Sequence, residues 1–186
     1  MTFAVRLLTL VVLALTAVVP SFAQGQAARP PITTLAGDVQ EDWTGLKTLI
    51  SNAANAMPED KYSYKSTPAQ RDFGAQVMHI VQVNQMLLGT LGAKTPAPMI
   101  NMQAKTKAEI AAAVRQSFEW CDAVVKEFSD AQLVERIAPP RFMGPSASRI
   151  RVIGFAAQHT QDIYGQMVVY LRLNGVTPPA SVRPGV

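Results

Sequence analysis

The 186-residue chain has one cysteine and two histidines. One cysteine makes no internal disulfide, and it excludes zinc ribbons, cysteine-rich fingers and iron–sulfur clusters. Two histidines, His79 and His159, exclude a zinc site of three histidines drawn from one chain. Phosphate-cradling glycine loops of the G-x-x-x-x-G-K-[ST] or G-x-G-x-x-G type are absent, as is the G-x-S-x-G nucleophile elbow. Strand-like alternation of useful length and a fixed internal repeat are also missing. Carboxylates pair only as Glu41 with Asp42 and Glu59 with Asp60, which reads as helix-start and turn charge rather than an acid–base couple.

Charged residues make up only 16% of the chain, and 17 Lys and Arg against 13 Asp and Glu leave a net charge of +4. The excess is mild and spread along the sequence. Its longest local cluster, Arg141, Arg149 and Arg151, reads as ordinary solvated charge. A nucleic-acid binder carries a basic stripe, so no nucleic-acid partner is expected.

The N-terminus has the pattern of an export signal. Arg6 precedes an apolar run of 13 residues, Leu7 to Val19, and small residues stand at Ser21 and Ala23. A positive start, a short apolar run and a small-x-small end define a secretory signal peptide, here residues 1–23 with cleavage after Ala23. The run falls short of the ~20 residues that span a bilayer. The expectation is an exported protein, periplasmic or extracellular, with no membrane attachment after cleavage. Without Arg6, 16 basic residues face 13 acidic ones, a net +3. Residues 24–37, rich in Pro, Gly and polar side chains, read as a flexible lead-in.

The rest, residues 38–181, reads as one helical domain followed by a tail at 182–186. Val39, Trp43, Leu46, Ile50, Ala53 and Met57 step by three and four, which predicts a helix over Asp38–Ala56 with Asp38 and Glu41 as a capping pair. A second helix is predicted over Pro68–Leu91, with Thr67 as N-cap, Gln70 closing a capping box and Gly92 ending it. Its stripe is Phe73, Val77, Ile80, Asn84, Leu87 and Leu91. A third spans Ala104–Phe128, with Cys121 inside its apolar stripe as a small buried hydrophobe. A short helix is expected over Ser129–Ile137, and a last long one over Ala147–Asn174, lined by Ile150, Ile153, Ala157, Thr160, Tyr164, Met167 and Leu171 and stopped by Gly175. Four amphipathic helices and little else predict an all-α four-helix bundle.

His159 shares a flank of the last helix with Ile163, Gln166 and Tyr170, and His79 flanks the second stripe near Gln76 and Val83. Both flanks border the interior, where bundles build metal sites from facing helices. By pattern alone, two isolated histidines in a bundle are more often hydrogen-bonded structural residues than ligands.

Two segments add a resemblance. The run MPEDKYSY with the following MHIVQVNQMLLGTLG, and the closing HTQDIYGQMVVYLRLNGVTPPAS, resemble the DinB-like proteins in order and spacing over about Asp38–Ser181. The resemblance implies an up-down-down-up four-helix bundle, often a homodimer. It also implies a divalent metal, zinc or nickel, on three histidines: one from the second helix and a pair four apart on the last. His79 matches the first and His159 the second, but Ile163 stands where the third belongs. Isoleucine has no lone pair, Asp162 lies about 100° around the helix from it, and Gln166 is a weak neutral ligand. The expected site is therefore degenerate, with metal bound weakly or not at all, and Gln166, Asp162 and Tyr170 as pocket residues. The leading functional expectation is an exported binding or scaffold protein. The alternative is a metal-dependent enzyme, a thiol-type transferase or hydrolase-like protein, using His79 and His159. A third reading is an interaction protein working through its bundle faces.

Overall fold

The computed structural model describes residues 32–182. The segment read as a signal peptide, lead-in residues 24–31 and tail residues 183–186 lie outside the described residues.

The first helix, α1, runs Leu35–Ala56. It starts three residues before the predicted Asp38, and Asp38 does not cap it. The cap is Thr34, whose Oγ1 accepts from the Gly37 N–H at 3.0 Å. The first amides of a helix have no partner within it. Here the Asp130 carboxylate accepts from Leu35 N–H at 3.2 Å and Ala36 N–H at 2.8 Å. The apolar stripe is as predicted, with Val39, Trp43, Leu46, Ile50 and Ala53 all buried.

The next long helix, α2, runs Phe73–Leu88, so the predicted Thr67–Gln70 capping box is not its start. Gln70 N–H bonds Thr67 O at 3.1 Å in an isolated turn, and the chain then folds back. Phe73 and Gly74 N–H donate to Tyr64 O and Tyr62 O at 3.0 and 2.9 Å, and Asp72 Oδ1 takes the Ala75 N–H at 2.7 Å as the N-cap. The amides that begin α2 are thus satisfied by the preceding segment, which fixes the boundary.

Helix α3, Lys107–Lys126, begins after Thr106, which forms a reciprocal capping box with Glu109. The start is three residues later than predicted. The expected Ser129–Ile137 helix shortens to α4, Asp130–Val134, itself opened by a Ser129–Gln132 box. Arg136–Ile137 (β1) instead pairs antiparallel with Ala147–Ser148 (β2), so Ala147 opens a strand rather than a helix. Ser148 caps α5, Arg149–Leu173. Its end follows the sequence: Gly175, at φ 72°, donates to Arg172 O and Val176 N–H reaches Leu171 O, a turn that a left-handed residue makes possible.

Among the described residues the fold is all-α apart from that two-residue pair. α1 packs on α3 and α5, and α2 packs on the same two helices, so the four long helices close a circuit around one core. α2 and α5 run antiparallel, because Arg71, Gln76 and His79 meet Tyr170, Gln166 and His159 in turn. α2 is buried on nearly every side, as a helix packed between two others must be. Packing also rotates the buried face of α5. Val152, Ala156, Ile163 and Tyr170 are buried, whereas Ile150, Ala157 and Tyr164 are only half-buried. A helix wedged between α1 and α2 buries a wider arc than one stripe.

Arg149 departs from the solvated reading of its cluster. Its guanidinium donates to Leu91 O at 2.9 Å, Gln132 O at 3.0 Å and Glu135 Oε2 at 2.6 Å, and lies 5.0 Å from the centre of the Phe128 ring. Cys121 is fully buried, and burial pushes its thiol up to about 12, so it is not a nucleophile.

Candidate functional site

The antiparallel seam of α2 and α5 brings the two histidines together. His79 Nε2 and His159 Nε2 are 3.2 Å apart, with rings nearly perpendicular and centroids 4.9 Å apart. Only one of two facing ring nitrogens can carry the proton in a neutral pair. His159 Nδ1 is buried with no partner. An unpaired buried N–H is rarer than an unpaired acceptor. The arrangement without such an N–H has His159 Nε2–H donating to His79 Nε2. Burial lowers the pKa of His79, and the Arg71 guanidinium and the His159 ring act the same way. Burial also lowers that of His159, helped by Arg71 and opposed by Asp162. In both rings the lowered pKa favours the neutral form.

Beside the pair runs a hydrogen-bonded chain of four side chains. Arg71 Nη1 donates to Gln76 Oε1 at 3.4 Å, Gln76 Nε2 to Gln166 Oε1, and Gln166 Nε2 to Asp162 Oδ2 at 3.2 Å. A guanidinium at one end and a carboxylate at the other orient both amides in one sense. Gln76 is fully buried, so its amide needs both bonds. One turn deeper, Thr160 Oγ1 donates to Asn84 Oδ1, both residues fully buried.

Of the site residues read from the sequence, His79, His159 and Gln166 come together. Asp162 is exposed and reaches the group through Gln166. Tyr170 is buried, and its hydroxyl is taken by Arg71 O at 2.5 Å, so it braces the segment before α2 rather than offering a free group. Ile163 is only 3% exposed and belongs to the core. Arg71 was not legible as a site residue, because it precedes α2 outside any stripe. Gln76 and Asn84 left a trace, as polar residues at inward positions.

Could this group hold zinc or nickel? Two imidazole nitrogens on one tetrahedral metal at about 2.0–2.1 Å lie roughly 3.3 Å apart, close to the spacing here. The donor set does not follow. A metal on His159 Nε2 would place the proton on Nδ1, and a metal-bound histidine gives that N–H to an acceptor. His159 Nδ1 faces none. Gln166 is engaged with Gln76 and Asp162, and Ile163 donates nothing. No group of three or more His, Cys, Asp or Glu suited to a metal occurs among the described residues. The residues present do not fit a three-ligand metal centre.

The family model described as the DinB family matches residues 34–184. The chain belongs to the DinB family. The DinB match takes in the five α-helices of the described residues and both histidines. Solved structures agree on the fold. A DinB-like protein from Bacillus cereus superimposes with a TM-score of 0.69 at 20% identity, over 81% of this chain and 98% of its own. A DinB-like protein from Bacillus subtilis gives 0.61 at 17% identity, over 74% and 92%. No curated protein matches the chain.

Proposed function

We propose that this DinB-family chain is an exported four-helix bundle of up-down-down-up order. In this reading its divalent-metal site is reduced to a hydrogen-bonded histidine pair, and the protein serves as a binding or scaffold protein. The carrying observation is the His79–His159 contact at 3.2 Å beside a buried Ile163. The pair satisfies itself where a metal would otherwise sit, and an aliphatic side chain fills the third position. The Arg6 start, the apolar run and the Ser21–Ala23 end support export to the periplasm or beyond. The mature protein is then free of the membrane, and no helix among the described residues is long and apolar enough to cross one. A homodimer is part of the same reading, and light scattering on the mature protein measures it.

Metal analysis of protein purified with and without chelator tests the central claim. The expected result is far less than one zinc or nickel per chain in both preparations. Near-stoichiometric metal that disappears in His79→Ala would overturn it. One observation favours a second reading, a metal-dependent transferase or hydrolase-like enzyme: the two Nε2 atoms already stand at a spacing one metal could bridge. The same metal analysis separates the two. N-terminal sequencing of the exported protein is expected to begin at Gln24, and a start at Met1 removes the export claim.

A further inference from the structure

Two members of the arginine cluster that reads in the sequence as solvated charge lie beside two exposed aromatic rings. Phe142 and Phe155 are 61% and 38% exposed, and their ring centroids are 5.6 Å apart. Phe155 stands on α5 one turn after Arg151. Phe142 follows Arg141 in a single 3-10 turn, Arg141–Met143. The β1–β2 pair ties this loop to the start of α5. Arg136 clasps it as well, with Nε donating to Ser146 Oγ at 2.8 Å and Nη2 to Ser146 O at 2.6 Å. Phe142 is thus held against Phe155 before any partner arrives, which lowers the ordering cost of binding.

A groove of about 360 Å³ opens beside the ring pair, lined by Ile150, Arg151, Gly154, Phe155 and Gln158 of α5. Gly154 leaves its floor bare, and a Cβ there would meet nothing within 4 Å. No carboxylate lines the groove. Between Glu135 and Asp162 the sequence has Arg136, Arg141, Arg149 and Arg151 and no acid, and α2, which packs on α5, has none either. The acids of α1, Asp38, Glu41 and Asp42, do not line it. Glu135 is paired with Arg149, and Asp162, two turns past Phe155, accepts from Gln166. Arg141 and Arg151 are exposed, and neither guanidinium has an ion pair among the described residues. Two water-exposed rings beside two free cations, one from the loop and one from the helix, match a partner whose apolar group is flanked by negative charge.

We propose that this patch docks an acidic peptide segment of a partner protein, one apolar side chain in the groove against Phe155 and Phe142 and its carboxylates at Arg141 and Arg151. Guanidinium–carboxylate hydrogen bonds set the specificity, and burial of the two rings adds affinity. The rings pack on each other beside a concave groove, which suits one inserted side chain better than a flat lipid surface. Neither histidine lines the groove, so the proposal does not depend on metal.

The probe is a short fluorescein-labelled peptide of glutamate and serine around one central phenylalanine, titrated into the mature protein and read by anisotropy. Saturable binding is expected, weakening as salt is raised. The same peptide with glutamine in place of glutamate should bind about tenfold more weakly, and so should one with alanine in place of phenylalanine. The double variant Arg141→Gln, Arg151→Gln should lose a similar factor for the first peptide, as should Phe142→Ala. All three side chains are exposed, so both variants should keep their helical circular dichroism. No saturable binding overturns the proposal. So does equal binding of the glutamine peptide, or undiminished binding by the folded variants. Binding to phosphatidylglycerol vesicles in place of the peptide would assign the patch to a lipid surface and overturn it as well.

Discussion

Thr160 Oγ1 donates to Asn84 Oδ1 at 3.2 Å in the fully buried seam of α2 and α5, and Asn84 Nδ2 finds no partner. A polar pair in a core is asymmetric in its effects. Removing one partner strands the other, whereas replacing both with apolar groups of similar shape is close to neutral or stabilising. Thr160→Val should therefore lower stability by about 1–3 kcal/mol. Adding Asn84→Leu to Thr160→Val should recover that loss. Urea unfolding of the two variants measures it, and a double variant no more stable than the single one would contradict the reading.

Acid sensitivity should trace in part to Glu127, at the end of α3. Its carboxylate accepts from the Thr95 hydroxyl, from Lys94 N–H at 2.6 Å and from Thr95 N–H at 2.8 Å. These bonds, the hydroxyl first, hold its pKa below the ordinary glutamate value. A carboxyl whose pKa is lower folded than unfolded stabilises the fold above its unfolded pKa. That stabilisation fades as pH falls through the folded pKa. Glu127→Gln should thus be less stable than the parent at neutral pH, with the gap closing below about pH 4. Urea midpoints across that range test the sign.

Arg149 ties three segments to the start of α5: the turn after α2 through Leu91 O, α4 through Gln132 O, and Glu135 just beyond it. Lysine keeps the charge but not the planar fork or the stacking on Phe128. Arg149→Lys should cost about 1–3 kcal/mol, since two backbone carbonyls lose a charged donor. Glu135→Gln should cost less, because Glu135 is 58% exposed and its ion pair is screened. Thermal unfolding of both variants gives the order, and equal losses would assign the effect to the ion pair alone.

How much of this was legible before the structure follows from range. The stripes of α1 and α3, the stop at Gly175 and the burial of Cys121 depend on residues within one helix, and periodicity finds them. Helix starts were misplaced where a distant or upstream group takes the first amides. Asp130 reaches Leu35 and Ala36 across more than ninety residues, and Tyr62 and Tyr64 receive the amides that begin α2. The Thr67–Gln70 box has the right letters but makes a turn. At the site, His79 and His159 were found by position. Their direct contact and the Arg71–Gln76–Gln166–Asp162 chain depend on the register of α2 against α5, which no single stretch of sequence encodes.

That register also says what a restored third ligand should do. Ile163 lies one turn after His159 on the same helix, and it is buried against the core. Ile163→His would place a third imidazole near the pair, at the cost of burying a polar ring and losing apolar contact. Without metal the variant should be less stable than the parent by about 1–3 kcal/mol. Zinc or nickel that binds the folded protein and not the unfolded chain raises stability with concentration, by about 2.7 kcal/mol at a hundredfold excess over the dissociation constant. The variant should therefore show a metal-dependent rise in thermal midpoint that the parent lacks, and His79→Ala in the same background should abolish it. If the variant folds but zinc and nickel leave its midpoint unmoved, position 163 is not the vacancy of a third ligand, and the histidine pair is a structural contact with no metal geometry behind it.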